Sequence, residues 1–212
     1  MTYWLTQSLL SSWLYYLNAI DEYSQQAWDS FVSTLRREEK QPTQAMKDGI
    51  MFEDMVNRLV AGQAPEGDFN AKWDAAARRF AGRCSGGLSQ VPVTGDLSVE
   101  GMDFCLYGVC DYVKAGLIMD IKKVTRYEYG KYQHSPQHPM YLHLIPEANR
   151  FDYLIFDGSN CHVETYRREG CKPIEQTVSE FIHFLSDTGG LDVYKHFWAM
   201  NEEREQKRRE AL

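Results

Sequence analysis

The sequence predicts an α/β fold in which helices flank a mixed central β-sheet, with further helical segments at the N-terminal and C-terminal ends. Two observations predict it. Apolar residues recur at helical spacing through the first third of the chain, and from about residue 88 to residue 124 they alternate or run together as in strands. Helical and strand-like segments then follow one another, which is typical of an α/β sandwich.

The length of 212 residues fits one domain. We therefore expect a single domain over residues 1–212. Its helical N-terminal part spans about 1–87, a β-hairpin core spans about 88–170, and the C-terminal helices span about 172–212.

The first third is predicted to be helical. Thr6 is suited to cap a run that carries Leu9, Leu10, Trp13, Leu14 and Leu17, and "DEYSQQAWDSFVSTLRREE" continues with apolar residues near helical spacing. Pro42 and Thr43 interrupt this pattern, and another helix is expected from about Thr43 to Gly62. The segment "AKWDAAARRFAGR" predicts a further short helix that ends at "SGG".

The rest of the chain is predicted to supply the sheet and its closing helices. Strand-like runs from about Leu88 to Val124 are interrupted at "TGD", "EGMD" and "KAG", which indicates a meander of short strands. A helix around "SPQHPMYLHLI", strands at "FDYLIFDG" and "HVETYRRE", and a pair of helices from about Lys172 to Trp198 follow. The tail "NEEREQKRREAL" is expected to be a charged, solvated helix end.

Composition and charge narrow the class of protein. The formal net charge of −7 disfavours a protein that coats nucleic acid unspecifically, but it is compatible with a local basic cleft. The five cysteines include no C-x-x-C pair and match neither a disulfide framework nor a usual zinc site. Because no apolar run approaches a membrane span and the N-terminus lacks signal-peptide features, we expect a cytoplasmic protein with no membrane partner.

The stretch "GVCDYVKAGLIMDIKK" places two acids in otherwise apolar strand-like runs. If Ala115 and Gly116 form the centre of a hairpin turn, the register pairs Asp111 directly with Asp120. Directly opposed residues share one face of a sheet, and like charges in that position destabilise it. Lys122, two residues beyond Asp120, points to the same face.

Two ionised carboxylates held together beside apolar residues require a cation. Mg²⁺ or Mn²⁺ with oxygen ligands suits them, and such an ion lowers the pKa of a bound water. Lys122 would then orient that water or stabilise charge that develops on a phosphate. The alternative is a plain ion-pair triad on a solvated face.

These residues resemble a known family. "GVCDYV" and "LIMDIKK" are similar to motifs two and three of the PD-(D/E)XK nuclease superfamily, although Cys110 stands where proline usually precedes the first acid. "GIMFEDMV" resembles the helix that supplies the motif-one glutamate, here Glu53, and "QHPMY" resembles the Q-x-x-x-Y element of the RecB-like branch, here Gln137 and Tyr141. The opening "LTQSLLSSWLYYL" is similar to the first helix of that branch, so the resemblance spans roughly residues 5–165.

The resemblance implies a restriction-endonuclease-like core and a Mg²⁺-dependent DNA nuclease, most similar to phage or prophage RecB-like exonucleases of DNA recombination or repair. Asp111, Asp120, the Ile121 carbonyl and Glu53 would hold Mg²⁺ or Mn²⁺, and Lys122 would position the attacking water. Gln137 and Tyr141 would hold the DNA backbone. Lys123 and Arg126, in a nearby basic stretch that is interleaved with tyrosines, would also bind the DNA.

Several alternatives stay open. Pro139 would fit a helix that begins later, which would leave Gln137 in the preceding loop, and Tyr141 could equally be a core residue. A structure-selective endonuclease of the same superfamily, or a non-catalytic nucleic-acid-binding or assembly protein, would carry the same motifs. The resemblance is compatible with a homo-oligomer and with a single-strand annealing protein as partner. No iron–sulfur cluster is expected, because the cysteine required near the first helix is missing.

Overall fold

The computed structural model describes residues 1–67 and 69–200 and has a mixed six-stranded sheet flanked by helices, as the sequence predicted. The strands are β1 Thr2–Thr6, β2 Leu88–Val99, β3 Met102–Lys114, β4 Leu117–Lys123, β5 Arg150–Phe156 and β6 Cys161–Arg167. The α-helices are α1 Gln7–Leu17, α2 Ser24–Leu35, α3 Gln44–Val60, α4 Ala71–Cys84, α5 Gln137–Leu144, α6 Ile174–Asp187 and α7 Leu191–Trp198. The predicted helical tail, residues 201–212, lies outside the described residues.

The long strand β3 organises the sheet. The strand order is β1-β3-β4-β5-β6, and β2 runs antiparallel along the other edge of β3. On its shared edge, β3 pairs in parallel with β1 from Asp103 to Tyr107 and antiparallel with β4 from Tyr112 to Lys114. Asp111 therefore lies in the stretch of β3 between its contacts with two different strands. Such a fork leaves room for a side chain to reach across to the neighbouring backbone.

Helix α5 forms the crossover between the parallel strands β4 and β5. Parallel neighbours need a long connection, which is usually helical. Here that connection also includes the loop of residues 124–136, which follows Lys123 and leads into Gln137 at the start of α5. The crossover therefore carries the chain from the end of β4 back over the sheet to the start of β5.

The sheet is covered on both faces by hydrophobic clusters. Along β5, Phe151, Tyr153 and Ile155 belong to one cluster, while Leu154 and Phe156 belong to the other. Because successive strand residues point to opposite faces, the two clusters lie on the two sides of the sheet. The first contains buried residues of α1, α2, α5, α6 and α7, and the second contains those of α3 and α4.

The predicted helix starts are confirmed by their caps. The Thr6 and Thr43 hydroxyls accept hydrogen bonds from the N–H groups of Leu9 and Met46, and the Asn70 side chain accepts from the first turn of α4. These bonds satisfy N–H groups that have no partner within the helix. The buried side chains of α3 and α4 belong to the second hydrophobic cluster.

Two expectations for the sheet were wrong. Strand β1 was not predicted, because its five residues pass directly into α1 and its partner β3 lies about a hundred residues away. The "TGD" segment does not interrupt a strand, since Thr94, Gly95 and Asp96 all pair with β3 inside β2. Gly95 lies under α5, where a Cβ would come within 2.8 Å of the end of the Leu144 side chain. The turns at "EGMD" and "KAG" are present, with positive φ at Glu100, Gly101, Ala115 and Gly116.

A buried histidine on α5 makes the stability of the fold depend on pH. His138 is 3% exposed, stacks on Tyr166 with ring centroids 4.1 Å apart, and lies 3.2 Å from the Tyr153 hydroxyl. Burial lowers the pKa of His138 to about 4. The unfolded chain therefore takes up a proton near pH 6.5 that the folded protein refuses until about pH 4, so folding stability falls as the pH drops through that window.

We expect His138→Phe, which keeps a ring on Tyr166 but cannot titrate, to lose less stability than the parent between pH 6.5 and pH 4. The difference should approach about 3 kcal/mol as an upper limit. Urea unfolding at several pH values measures it. His183→Asn, a change at a largely exposed histidine, is the control. Parallel pH profiles for His138→Phe and the parent would contradict this account of His138.

No helix among residues 1–67 and 69–200 has both the length and the apolar character needed to span a bilayer.

Candidate active site

The predicted hairpin forms the centre of the site. Ala115 and Gly116 adopt positive φ angles of 45° and 79°, as a tight hairpin turn requires. Lys114 pairs with Leu117, Val113 with Ile118 and Tyr112 with Met119, which is the predicted register. That register brings Asp111 and Asp120 next to each other at the point where the ladder ends.

Asp111 reaches across this end of the ladder. Its Oδ2 accepts a hydrogen bond of 2.7 Å from the backbone N–H of Ile121 on β4. The carboxylate thus bonds to the backbone next to Asp120 in sequence, and the two acids interact electrostatically. The expected closeness of the two acids is therefore present, although it is completed by a side chain bonding to backbone and not by a further ladder pair.

Asp120 is almost fully enclosed, with 3% exposure. Its Oδ1 accepts a hydrogen bond of 2.5 Å from Nε2 of Gln137, and its Oδ2 lies 2.6 Å from Nζ of Lys122. Although Lys122 makes this ion pair, the buried Oδ2 has no hydrogen-bond partner of good geometry among the described residues. One oxygen of this carboxylate is therefore held by α5, and the other is available to a cation.

Glu53 approaches from α3, as the sequence predicted. Its Oε1 accepts a hydrogen bond of 2.6 Å from Nε2 of Gln90 on β2. Burial raises the pKa of Glu53, and the charge of Asp120 raises it further. Gln90 has a positive φ of 50° and lies between Ser89 and Val91, which pair with the neighbours of Asp111 on β3. Nothing in the sequence singled out Gln90, because a glutamine in a strand carries no recognisable pattern.

The charges of the site are strongly coupled. Burial, then Asp120 and then Glu53 raise the pKa of Asp111 to about 8. Burial works against the charge of Lys122, but Asp120, Asp111 and Glu53 outweigh it and raise the pKa of this lysine. Three carboxylates thus share one ammonium group, and the arrangement has an excess of negative charge. An additional cation would relieve that excess.

The donor chemistry fits a hard divalent ion. Asp111 and Asp120 offer carboxylate oxygens on neighbouring strands, and the buried Oδ2 of Asp120 is contacted by the Lys122 ammonium at 2.6 Å. Across the described part of the chain, however, no three His, Cys, Asp or Glu side chains are already arranged around a single metal position. Hydrogen bonds from Gln90, Ile121 and Gln137 each tie one carboxylate oxygen of the cluster to a donor.

Gln137 and Tyr141 both lie on α5, whose first residue is Gln137. Both were predicted to hold the DNA backbone, but the structure buries them. Gln137 is 6% exposed and bonds to Asp120, while the 3% exposed Tyr141 donates its hydroxyl hydrogen bond to the carbonyl of Val109. Their contacts are therefore with the strands that carry the acids.

The ring of Tyr141 fills the space above Gly108 on β3. A Cβ at Gly108 would lie 2.1 Å from Cε1 of Tyr141, so only glycine fits there. We expect Gly108→Ala to lower the free energy of unfolding by about 2 kcal/mol or more, because Tyr141 must move out of a packed position. Gly82→Ala on α4, where a Cβ meets nothing within 4 Å, is the control in denaturant unfolding. Equal stabilities would contradict the packing described for α5.

The structure does not bring Lys123 or Arg126 to the acids. The Lys123 ammonium lies 5.5 Å from the ring centroid of Trp73 and donates to the carbonyl of Val124. It therefore belongs to the α4 side of the sheet, as strand alternation after Lys122 requires. Arg126 is exposed in the loop 124–136 and pairs with Glu128 at 2.6 Å. Ile121 donates its N–H to Asp111 and buries its side chain beside α3 and α4.

Comparison with solved structures shows a shared fold. The chain is similar to the crystal structure of SSO0001, with a TM-score of 0.51, 12% identity, and coverage of 85% of this chain and 76% of that chain. It also matches LHK-Exo in complex with dAMP, with a TM-score of 0.44, 13% identity and 91% coverage of both chains, a likeness too low to carry an argument. No protein-family model and no curated protein sequence matches this chain.

Proposed function

We propose that this protein is a Mg²⁺-dependent DNA nuclease, with Mn²⁺ able to substitute, of the RecB-like exonuclease type that the motifs resemble. One observation carries the proposal: Asp111 and Asp120 are held next to each other beside Lys122, with an excess of negative charge. Such a cluster is costly unless it binds a cation or takes up protons. A buried carboxylate with a raised pKa beside a lysine, as at Asp111, is typical of functional sites.

Each residue of the cluster has a role in the proposed reaction. Asp111 and Asp120 would hold the ion, with the Ile121 carbonyl and Glu53 completing its surroundings. When bound, the ion would supply Lewis acidity toward the phosphodiester and lower the pKa of a water. Lys122 would orient the attacking water and stabilise charge on the phosphate oxygens. Gln137 would keep Asp120 in the orientation that the ion needs.

Cleavage of end-labelled linear DNA is the test, with Mn²⁺ titrated against single-stranded, double-stranded and covalently closed circular substrates. We expect the linear DNA to be degraded in a metal-dependent manner and the closed circle to stay intact, because an exonuclease needs an end. Cleavage of the circle would favour the structure-selective endonuclease. Binding of DNA without any cleavage would overturn the nuclease proposal in favour of the binding or assembly protein.

A further inference from the structure

Glu164 on β6 is a buried carboxylate outside the proposed catalytic cluster. It is 3% exposed, and five hydrogen-bond donors converge on it. Tyr127 Oη, Gly130 N and Lys131 N donate to Oε1 at 2.7, 2.9 and 3.1 Å, and Tyr132 N and Tyr166 Oη donate to Oε2 at 3.3 and 2.7 Å. Three of these donors are consecutive backbone N–H groups of the loop 124–136. The carboxylate therefore ties this irregular loop to the sheet.

The anchored loop leads directly to the acids. Tyr132, whose N–H donates to Glu164, accepts a hydrogen bond from Ser135 N at 3.0 Å, and Ser135 Oγ accepts one from Gln137 N at 3.2 Å. The side chain of Gln137 then donates to Asp120 at 2.5 Å. A continuous path of hydrogen bonds thus joins Glu164 to Asp120.

Ring stacking fixes the same loop from its other side. The Tyr132 ring lies 4.3 Å from the Tyr153 ring on β5, with the two planes 17° apart. Tyr153 pairs with Glu164 in the β5–β6 ladder. The ring of Tyr132 therefore stacks on β5, while its backbone N–H donates to Glu164 on the adjacent strand β6. Without these contacts a loop of this length would be mobile. The position of Gln137, the first residue after the loop, would then not be fixed relative to Asp120.

We infer that Glu164 is a positioning residue that sets the Gln137 amide on Asp120 by anchoring the loop 124–136. The inference rests on the proposed function for its effect on catalysis, but the anchor itself is a property of the fold. Hydrogen bonds to a charged carboxylate are about twice as strong as neutral ones. Glu164→Gln keeps the shape and replaces one acceptor oxygen by an amino group that faces donors.

The matched control is Asp152→Asn. Asp152 is also a fully buried acid of the sheet, one strand away from Glu164, and its bonds go to Arg150 and Thr165 in place of the loop. Both variants remove a buried charge, and both are expected to lower stability. A difference between them at the active site therefore reports the loop and not general destabilisation.

Nuclear magnetic resonance tests the anchor without any enzyme activity. In Glu164→Gln, we expect hydrogen exchange at the amides of Gly130, Lys131 and Tyr132 to accelerate at least about tenfold, and the side-chain amide signal of Gln137 to shift. In Asp152→Asn, both should match the parent. The positioning role would be overturned if the loop amides exchanged faster but the chemical shift of the Gln137 side-chain amide stayed the same. It would also be overturned if the exchange rates of the loop amides did not change.

Kinetics test the consequence for the proposed reaction. We expect Glu164→Gln to lower kcat about 10- to 100-fold with little change in KM, and Asp152→Asn to stay within about twofold of the parent. A double variant tests the path through Gln137. When Gln137 is already alanine, adding Glu164→Gln should lower kcat by less than about a further twofold, because both changes act on the same contact. Additive losses in kcat would contradict the path through Gln137. If the parent protein cuts no DNA, only the nuclease proposal is overturned. The anchoring of the loop by Glu164 is tested separately, by the magnetic resonance experiment.

Discussion

Asp111→Asn should give a protein that melts at a higher temperature than the parent at pH 8 to 9 without divalent ions, and that cuts no DNA. The folded state raises the pKa of Asp111 to about 8, first through burial and then through Asp120. The folded parent therefore binds a proton more tightly than the unfolded chain, and its stability declines as the pH rises toward 8. Asparagine removes this penalty and still offers an oxygen to the Ile121 N–H.

The expected rise in melting temperature is about 3 °C, and it should vanish when Mn²⁺ is added to the parent, because the ion relieves the same repulsion. Asp103→Asn is the control: it lies on the same strand and is exposed, where it accepts a hydrogen bond from Ser98. An Asp111→Asn protein that melts lower than the parent at every pH would show that Asp111 is a structural acid.

Lys122→Met should lose about 1,000-fold in cleavage rate and about 2 kcal/mol of stability in the absence of metal. Its ammonium group is the cation that contacts Asp120 at 2.6 Å, and methionine leaves the acids uncompensated. The loss of stability should be smaller than for a fully enclosed pair, because the Lys122 side chain is 30% exposed. Cleavage of linear DNA and urea unfolding measure the two effects.

Lys123→Met provides a control one residue away. Lys123 sits on the opposite side of the strand, against Trp73 and Phe156, so its replacement should keep the cleavage rate within about threefold. If the two variants lost activity equally, both lysines would be acting through general positive charge, and the specific role assigned to Lys122 would be wrong.

Local chemistry made the hairpin predictable. The turn at Ala115 and Gly116 fixes the register, and the register brings Asp111 and Asp120 together. The same strand alternation that places Lys122 with Asp120 also places Lys123 on the other face, beside Trp73, so the two lysines cannot both face the acids. Helix starts were equally local, because the capping side chains at Thr6 and Thr43 bond within the next turn.

Long-range contacts were beyond the sequence pattern. The pairing of β1 with β3, the bond from Gln90 to Glu53 and four of the five donor contacts to Glu164 join residues that are more than 30 positions apart. Gln137 contacts the acid Asp120, whereas a contact with the DNA backbone was expected, since the start of α5 is packed against the sheet. Residue type and spacing suggest which side chains act, whereas tertiary packing decides what they touch.

The most direct measurement is anomalous diffraction from crystals soaked in Mn²⁺. A single strong peak within coordination distance of both Asp111 and Asp120, about 2.1 Å for an ion of the Mg²⁺ type, is the result expected. Glu53 should then release Gln90 or bind through water. A peak elsewhere, or saturating Mn²⁺ that leaves the space between the two acids without density, would contradict the account.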